Sequence, residues 1–468
     1  MKIKILPAVI LCLILLFSNI QPLFSDDNET GVTIKDGLIA GAEVLLSNAV
    51  VMTFNIVANK LQGGFDWAQP NLDSIKFNLT TPWQWETDDG YLVNQIGHPY
   101  QGSVYFNAGR VNGFSFYQSF FFSAFGSATW EVFFENPHAS INDFITTVPS
   151  SMSVGEILFR LYIEAYNSGV PAFFAFFINP MAGFHRLVTG WQPQSYESNI
   201  YELKTYIGMG YTQIDSSAIN PNNELFSFDG FYADLGFMVI YGNPFEQESK
   251  TPYDHFEFTV SVGLDIGNYM DFRLISDGYL FSFSPVYSDK NKMSTGLSLH
   301  LDVAALGRLD NFKMERQSST INQYSNAINW TLKYQHQFSD NMKFQIKYHC
   351  GFTFFGVSIF YSPYINDELI NYGAGINSKL FLNFEHNKLG KLETSLFGYS
   401  LWSYPGTSAI SGGSVYWLFL DVSYSYFITK HLSLCVNGSL AQEWGMFKNF
   451  PDIERKNRAV KLYAVWNL

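Results

Sequence analysis

Residues 94–156 read NQIGHPYQGSVYFNAGRVNGFSFYQSFFFSAFGSATWEVFFENPHASINDFITTVPSSMSVGE, and the N-terminal part of the chain is organised around them. The stretch is apolar enough to be buried, yet it carries polar groups at regular spacing. The dipeptide His98-Pro99 predicts a helix start, because the fixed φ of proline suits the first helical position. We predict one long helix over residues 98–135, since its polar residues recur at intervals that place them on one face: His98, Gln101, Tyr105, Asn112 and Ser119.

Small residues at four-residue steps predict that a second helix packs closely on this one. Gly109 and Gly113 form one such pair, and Ser123 and Ser127 form another. Small side chains at this spacing let another backbone approach. If the long helix breaks, Gly126-Ser127 is the position that we predict for the break.

Three ionisable residues of this stretch, His98, Arg110 and Glu131, are candidates for a functional site. Histidine is a common general base, and Arg110 or Glu131 could hold an anionic head group or orient the imidazole. One straight helix holds His98 and Glu131 tens of ångströms apart at about 1.5 Å per residue, so a shared site requires a break. Arg110 lies among Phe residues, where a charge needs a partner, and Asp143 and Glu156 are the candidates.

Asp143 and Glu156 also fit a purely structural role. Ser140 with Asp143, and Ser153 with Glu156, match the capping box, in which the carboxylate accepts from the backbone N–H of the serine. Both carboxylates would then mark helix starts and carry no chemistry. We assign them to a structural polar set with three further residues: Asn94, Tyr105 and Arg186.

The composition favours a membrane protein. Of the 468 residues, 47% are hydrophobic, 18% are aromatic and only 15% are charged, with 45 Phe and 28 Tyr. These values are unusual for a soluble enzyme. The formal net charge of −13 on an exported chain argues against nucleic acid as a partner.

Residues 1–25 have the pattern of a cleaved signal peptide. Lys2 and Lys4 form a basic region, the apolar run 5–17 follows, and cleavage near Ser25 leaves an acidic start. A retained anchor helix is the alternative, although the apolar run is short for a membrane span. We therefore predict export.

We assign residues 26–190 to a helical module with an aromatic-rich loop. Residues 32–61 predict a helix whose uncharged window is short for a membrane span. Residues 62–97 contain prolines and glycines that predict irregular structure. Residues 154–168 predict another helix, and residues 179–186 predict a turn that leads out of the module.

From about residue 199 the period of the apolar residues changes to two. This alternation predicts strands with one apolar and one polar face, and we count roughly twelve strands across residues 199–468. A soluble β-sandwich is the alternative, but it rarely needs strands this long or this aromatic. In one such strand the apolar residues Phe344, Ile346 and Tyr348 alternate with polar residues that suit a hydrated lumen: Lys343, Gln345, Lys347 and His349.

The final strand has the usual terminal pattern of outer-membrane barrels, with Val460, Leu462, Ala464, Trp466 and Leu468 on one face. The predicted fold is an α+β membrane protein, in which an N-terminal helical module precedes an antiparallel transmembrane β-barrel. We expect it in the outer membrane of a Gram-negative-type bacterium. Outer-membrane lipids are then its surroundings, and the barrel assembly machinery is an expected partner during insertion.

After cleavage of the signal peptide, Cys350 and Cys435 are the remaining cysteines. The sequence has no CxxC motif and no Cys/His cluster, so we predict neither a zinc site nor a cofactor. The alternation places the two cysteines on opposite strand faces, which argues against a disulfide between them.

A set of residues in the N-terminal module resembles a known family. The set comprises residues 85–91, Asn94, His98-Pro99, Gly102, Tyr105, Arg110, Trp130-Glu131, Ile141-Asn142-Asp143, Gly155-Glu156 and residues 179–186. In these positions the chain resembles domain of unknown function 3943, which occurs in envelope proteins of Gram-negative-type bacteria. The resemblance implies a shared helical module and no established activity.

Two functions fit this sequence. The first is a non-enzymatic outer-membrane barrel with a structural or transport-related role, whose helical module plugs or braces the barrel and whose small-molecule ligand is unknown. The second is a membrane-embedded lipid-modifying enzyme, a hydrolase or acyltransferase, with His98 as its base. We favour the first, because the sequence has no nucleophile elbow, HExxH motif or dinucleotide fingerprint.

Overall fold

The computed structural model describes residues 31–62, 67–85, 91–194, 198–219, 223–245, 248–265, 269–310, 313–314, 321–362, 367–405, 407 and 412–468. The predicted signal peptide lies outside the described residues. Contacts divide the chain into a helical unit, which comprises residues 1–89 and 93–198, and a barrel unit, which comprises residues 90–92 and 199–468. Each unit has its own core.

The described part of the helical unit contains seven α-helices and one π-helical turn, Val93–Gly97. The α-helices are α1 (Ile34–Gln62), α2 (Leu72–Thr80), α3 (His98–Val111), α4 (Phe116–Phe133), α5 (Ile141–Asn167), α6 (Ala172–Ile178) and α7 (Pro180–Thr189).

The predicted long helix over residues 98–135 is two helices. The break between α3 and α4 lies at Gly113, whose φ of +89° is a left-handed conformation that glycine adopts without strain. Ser115 then caps α4 by accepting from the N–H of Gln118. The predicted break at Gly126-Ser127 is therefore wrong, because Gly126 lies inside α4.

Gly126 serves helix packing instead. A Cβ built on Gly126 would lie 2.4 Å from Cγ of Tyr105, so only glycine lets this ring of α3 lie against α4. Gly109 similarly faces Ser119 and Phe122 of α4. The two helices thus fold back on each other, and the small residues permit their close approach.

Helix α5 runs without interruption from Ile141 to Asn167, with Pro149 inside it. The predicted helix start at Ser153 is therefore wrong, because Ser153 and Glu156 already lie in the middle of a helix. Ser140 does cap α5, since its hydroxyl accepts from the backbone N–H of Asp143 at 3.1 Å.

Two segments that were predicted to be irregular or a turn contain helices. Residues 62–97 contain α2, which Asn71 caps in a box with Ser74. Residues 179–186 belong to α7, with Asn179 as N-cap and Pro180 as first residue. Both predictions of irregular structure missed an Asx cap at a helix start.

Helix α1 confirms the helix predicted over residues 32–61. In the described part of the chain, Ile34–Leu61 is one helix with the length and mean hydropathy, 1.6, to cross a membrane. It also carries three buried polar residues that a lipid-facing helix rarely has: Glu43, Asn48 and Asn55.

The barrel unit consists of long antiparallel strands. They are β1 (Ile200–Ala218), β2 (Asn223–Tyr241), β3 (Phe256–Leu264), β4 (Tyr269–Tyr287), β5 (Asn291–Asp310), β6 (Lys313–Met314), β7 (Ile321–Ser339), β8 (Met342–Ser362), β9 (Asp367–His386), β10 (Gly390–Ser403), β11 (Gly413–Phe427), β12 (Leu432–Phe447) and β13 (Ile453–Asn467).

Strand pairing closes the sheet into a barrel. Each strand pairs with its neighbours along the chain, β5 pairs with β7, and the short β6 pairs only with β5. The first strand pairs with the last, from Lys204 opposite Asn467 to Ala218 opposite Ile453. Twelve strands therefore form a closed antiparallel barrel, which confirms the predicted fold and strand number.

The alternation of side chains gives the barrel an apolar exterior and a polar interior. On β8, Tyr348 and Phe352 are exposed to the outside, whereas His349 is fully buried inside. The same alternation on β13 places Val460 and Leu462 outside and Lys461 inside. An outward apolar surface with an inward polar one is the pattern of a barrel in lipid.

Cys350 and Cys435 lie on opposite faces, as the alternation predicted. Cys350 is exposed on the outer face and Cys435 is buried on the inner face, and both thiols are free.

Candidate functional site

Arg110, Glu156 and Arg160 form an ion-pair cluster inside the helical unit. Arg110 Nε lies 2.8 Å from Glu156 Oε2, and Arg110 Nη2 donates to Glu156 Oε1 at 3.2 Å. Arg160, one turn further along α5, donates its Nε to the same Oε1 at 3.0 Å. Because the Glu156 carboxylate is fully buried, the two guanidinium groups compensate its charge. Asp143 and Glu156 were the predicted partners of Arg110, and the structure shows the ion pair with Glu156.

His98 is buried at the start of α3. Its Nδ1 lies 3.3 Å from Thr147 Oγ1, and its Nε2 lies 3.9 Å from Asp143 Oδ2, which is beyond hydrogen-bond length. Arg110 and Glu131 each have other partners. The structure therefore does not bring the three candidate catalytic residues together around one reacting position.

Asp143 is a fully buried carboxylic acid. Asn142 Nδ2 donates to Asp143 Oδ1 at 2.9 Å. Burial raises the pKa of the Asp143 carboxyl from 3.8 to about 6, and hydrogen bonds from Ser140 and Asn142 reduce that rise.

Glu131 caps α5 from a different helix. Its Oε2 accepts from the backbone N–H of Ser140 at 2.8 Å. The capping box predicted the Asp143 carboxylate for this position, so that part of the prediction is wrong. The end of α4 reaches the start of α5 and supplies the acceptor in place of Asp143.

The remaining predicted polar residues have local structural contacts. Tyr105 donates its hydroxyl to Asn48 Oδ1 of α1 and accepts from Gln101 Nε2 at 2.5 Å. Asn94 is buried in the π-helical turn, and the Arg186 guanidinium lies 4.4 Å from the centre of the Tyr166 ring.

A buried polar contact between α1 and α7 was not predicted from the sequence. His185 Nδ1 lies 2.7 Å from Glu43 Oε1, and Asn112 Nδ2 donates to Glu43 Oε2 at 2.8 Å. The carboxylate of Glu43, which directly precedes the uncharged window 44–59 of this helix, was the available indication, because such a group requires a partner. These contacts fix α1 to α7 and to the end of α3.

The barrel unit contains a lumen cavity of about 460 Å³. Its walls alternate between charged and apolar zones along the strands. Near the tight turns at 340–341 and 387–389, ion pairs form a charged rim. Further in, aromatic residues face the cavity: Phe381, Phe397, Phe419, Tyr206 and Tyr463.

The charged rim consists of neighbouring ion pairs. Lys204 Nζ lies 2.6 Å from Glu202 Oε1, and Lys343 Nζ lies 3.1 Å from Glu385 Oε2. Lys391 pairs with Glu393 two residues along the same strand face. Each cation has a carboxylate partner, so the rim is polar and carries no excess charge.

A denser cluster lies deeper, around Lys461. Its Nζ lies 2.8 Å from Asp234 Oδ2 and 3.1 Å from Asp271 Oδ2. Arg273 Nε lies 3.1 Å from Asp271 Oδ1, while its Nη1 is 3.7 Å from Asp421 Oδ1. Three carboxylates thus share two cations, and Asp421 is the one held most weakly.

Asp302 lines the same cavity from β5. Its Oδ2 accepts from Tyr399 at 2.9 Å and pairs with Lys379. The Lys379 Nζ also lies 3.2 Å from His300 Nδ1. Among the described residues, no donor reaches Asp302 Oδ1, although the residue is only 5% exposed.

A further buried cluster centres on Glu257. Lys333 Nζ lies 2.7 Å from Glu257 Oε1 and 3.6 Å from Asp277 Oδ2, and Lys347 pairs with Glu257 Oε2. Two cations and two carboxylates compensate each other. The described residues contain no group of His, Cys, Asp and Glu that could hold a metal ion.

Above the cavity, apolar and aromatic side chains fill the lumen. They include Leu306, Phe360, Leu401 and Trp417, all buried. Within this apolar filling, Glu443 pairs with Arg455 at 3.1 Å and accepts from Trp417 Nε1 at 2.5 Å. The cavity is therefore bounded by a packed core on the side away from the charged rim.

Comparison with known proteins identifies one family. The model of DUF3943, a domain of unknown function, matches residues 82–181, which confirms the resemblance noted in the sequence. No curated protein matches the chain.

Solved structures with barrel folds also match. The toluene transporter TodX of Pseudomonas putida is 9% identical, and the match covers 60% of this chain and 93% of that one with a TM-score of 0.23. A Pseudomonas aeruginosa FadL homologue is 9% identical over 57% and 90%, with a TM-score of 0.23. The Escherichia coli outer membrane protease OmpT is 7% identical over 59% and 99%, with a TM-score of 0.22. The assignment of a closed barrel rests on the strand pairing within this chain.

Proposed function

We propose that this protein is an outer-membrane barrel that takes small molecules into its lumen as part of a transport process. The observation that carries the proposal is the combination of an apolar exterior with a lumen cavity of about 460 Å³. Ligand pockets in proteins have volumes of roughly 300–1,000 Å³. A packed polar lumen without a cavity would favour a purely structural barrel.

The proposed location is the outer membrane of a Gram-negative-type bacterium. A closed barrel with an apolar outer face is suited to surrounding lipid, and such barrels are typical of bacterial outer membranes. The tight turns at 340–341, 387–389 and 428–431 lie at the end of the barrel that carries the charged rim, and short turns usually face the periplasm. The rim is then the periplasmic entrance to the cavity. Export by a cleaved signal peptide, the lipid surroundings and the assembly machinery remain part of the proposal.

Two experiments test this function. Folded barrel protein should migrate faster on a gel before boiling than after, and it should be recovered with outer membranes. Purified full-length protein in liposomes should then accelerate the entry of small polar or amphipathic solutes relative to empty liposomes. Recovery in the soluble periplasmic fraction, or solute entry equal to that of empty liposomes, would contradict the proposal.

The alternative, a lipid-modifying enzyme, receives no support from the geometry. A general base must reach the proton that it removes, and a catalytic histidine usually has a hydrogen-bonded orienting group. His98 Nε2 lies 3.9 Å from Asp143 Oδ2, while Arg110 pairs with Glu156 and Glu131 accepts from the N–H of Ser140, so the three candidate residues do not surround one reacting position. That the helical module plugs or braces the barrel stays a prediction. Deletion of the module in cells, followed by measurement of lipids and of solute uptake, would test it.

A further inference from the structure

Two carboxylates that face the lumen cavity can each accept a further hydrogen bond. Asp302 Oδ1 has no hydrogen-bond partner among the described residues, while Oδ2 of the same group binds Tyr399 and Lys379. Asp421 has Arg273 as its cation at 3.7 Å, which is a long ion pair. A buried carboxylate oxygen without a partner is costly, so a donor that fills this position is stabilised.

Among the described residues, the ion-paired group that contains Asp421 has one more carboxylate than cations. Lys461 and Arg273 serve three carboxylates: Asp234, Asp271 and Asp421. Asp302 and Lys379 form a separate matched pair. A cation bound beside Asp421 would balance this additional carboxylate.

The same cavity offers apolar surface beside the carboxylates. Phe397 shares the inward face of β10 with Tyr399, the residue that donates to Asp302, and Phe419 shares the inward face of β11 with Asp421. Both Phe rings are buried and line the cavity. Aromatic surface in the same cavity is therefore available to a ligand that binds either carboxylate.

We propose that the lumen cavity binds a compact organic cation, a primary amine that carries an apolar or aromatic group. The ammonium group donates to Asp302 Oδ1 and is attracted by the weakly paired carboxylate of Asp421, and the apolar group packs on Phe397 and Phe419. This inference deepens the proposed function, on which it rests, because it names the class of molecule that the barrel takes up. The neutral rim admits molecules of any charge, and the selection for cations occurs at the deeper carboxylates.

Cys435 provides a direct measure of cavity occupation, with Cys350 as an internal control. Cys435 lines the cavity, whereas Cys350 is exposed on the outer face. The experiment uses full-length protein in detergent and follows modification of each thiol by a small methanethiosulfonate reagent, with peptide mass spectrometry. The probes are phenethylamine, 2-phenylethanol and phenylacetate, which share an aromatic ring and differ in their polar group.

The expected result is that phenethylamine slows modification of Cys435 and leaves Cys350 unchanged. It should bind about tenfold more tightly than 2-phenylethanol, because a charge-assisted hydrogen bond is stronger than a neutral one, and phenylacetate should protect least. Equal protection by the amine, the alcohol and the acid would overturn the proposal. So would no protection by any of them, which would indicate that water alone occupies Asp302 Oδ1.

Matched variants separate binding from folding. Asp421→Asn and Asp302→Asn should each weaken protection by phenethylamine about tenfold while leaving 2-phenylethanol within about twofold. Glu443→Gln is the control, because it removes a buried paired carboxylate outside the cavity lining and should leave protection unchanged. If Asp302→Asn lacks the faster-migrating folded band before boiling, the result for Asp421→Asn tests the proposal alone. The Asp421 side chain is partly exposed, so its substitution should disturb folding less. Equal loss in Asp421→Asn and Glu443→Gln would refute the assignment.

The two proposals fail in different ways. Selective protection of Cys435 without faster solute entry into liposomes would retain the amine site and reject transport. Faster entry that shows no preference for phenethylamine over phenylacetate, without selective protection, would retain transport and reject the amine site.

Discussion

Arg110 Nε lies 2.8 Å from Glu156 Oε2, although 45 residues separate the two in the chain. The pair joins α3 to α5 in the helical unit. The guanidinium also donates to the carbonyl oxygen of Phe114 at 2.8 Å and lies 4.7 Å from the centre of the Phe159 ring. One cation thus connects a carboxylate, a helix break and an aromatic ring, which gives the first prediction.

Arg110→Ala should destabilise the helical unit. Removal of one member of a buried pair costs about 3–5 kcal/mol when the other charge is left alone. Arg160 still binds Glu156, so we expect the lower end of that range. Limited proteolysis of the folded protein at increasing urea concentration measures the effect.

The double variant Arg110→Ala/Glu156→Ala should recover part of the loss, because it removes the stranded carboxylate. Arg160→Ala serves as the comparison and should cost less, since it leaves the closer Arg110 contact intact. Wild-type protease resistance in Arg110→Ala would show that the pair contributes nothing to the fold.

Protonation of Asp143 should make the helical unit more stable at pH 5 than at pH 7.5. The folded pKa of Asp143 is raised from 3.8 to about 6, so the folded state holds a proton that the unfolded state releases. This contribution is complete below about pH 3.8 and disappears as the pH rises through about 6. A shift of this size corresponds to about 3 kcal/mol.

Asp143→Asn should remove this pH dependence, because asparagine does not titrate. The urea midpoint of proteolysis is measured at both pH values for the wild type and the variant. His98 lies 3.9 Å from the carboxylate, and its protonation at low pH opposes the effect. His98→Gln in the same series separates the two groups. A pH dependence that persists in Asp143→Asn would assign it to other residues.

Gly126→Ala should weaken the packing between α3 and α4. The added Cβ would lie 2.4 Å from Cγ of Tyr105, and the ring cannot move without disturbing its hydrogen bond to Asn48. Overpacking of this kind costs about 1–3 kcal/mol. Gly41→Ala is the control, because nothing lies within 4 Å of a Cβ at that position. In α1 it should stabilise slightly, by about 0.5–1 kcal/mol; equal effects of the two substitutions would refute the packing role of Gly126.

Water-soluble and lipid-soluble thiol reagents should modify different cysteines. In liposomes, a small water-soluble thiol reagent should modify Cys435 and spare Cys350, whereas a lipid-soluble maleimide should prefer Cys350. The reason is that Cys435 lines the cavity and Cys350 lies on the apolar outer face. The rates in urea, where both thiols are accessible, provide the reference. The same preference for both reagents would contradict the register of β8 or β12.

The barrel was predictable because its determinant is local. A period of two in residues such as Phe344, Ile346 and Tyr348 places every second side chain on the outer face of the barrel, and no other common fold needs so many long strands of this kind. The two faces of Cys350 and Cys435 followed from the same parity.

The helix boundaries were less predictable, because helical periodicity continues across a break. Gly113 and Gly126 look equivalent in sequence, yet only Gly113 takes a left-handed conformation. Gly126 is held in α4 by the Tyr105 ring. Which glycine bends and which one packs depends on the neighbouring helix.

The polar contacts were least predictable, because they join distant segments. A carboxylate three residues after a serine fits a cap, but Glu131 takes the role assigned to Asp143, and Glu156 pairs with Arg110. In the barrel, Asp302 and Lys379 are brought together across the lumen by strand closure. Single residues on separate strands reveal no such partner until the register is known.

The pairing of β1 with β13 is the long-range step of barrel assembly. The other pairs of the twelve barrel strands join neighbours in the chain or strands separated only by β6, whereas β1 and β13 lie at opposite ends of the barrel segment. Until β13 pairs with it, β1 has open backbone groups that would attract any extended chain. The loop closed by this last pairing contains the whole barrel, so sealing is the slowest contact to find. A template that occupies β1 until β13 arrives would both protect the chain and set the rate at which it matures.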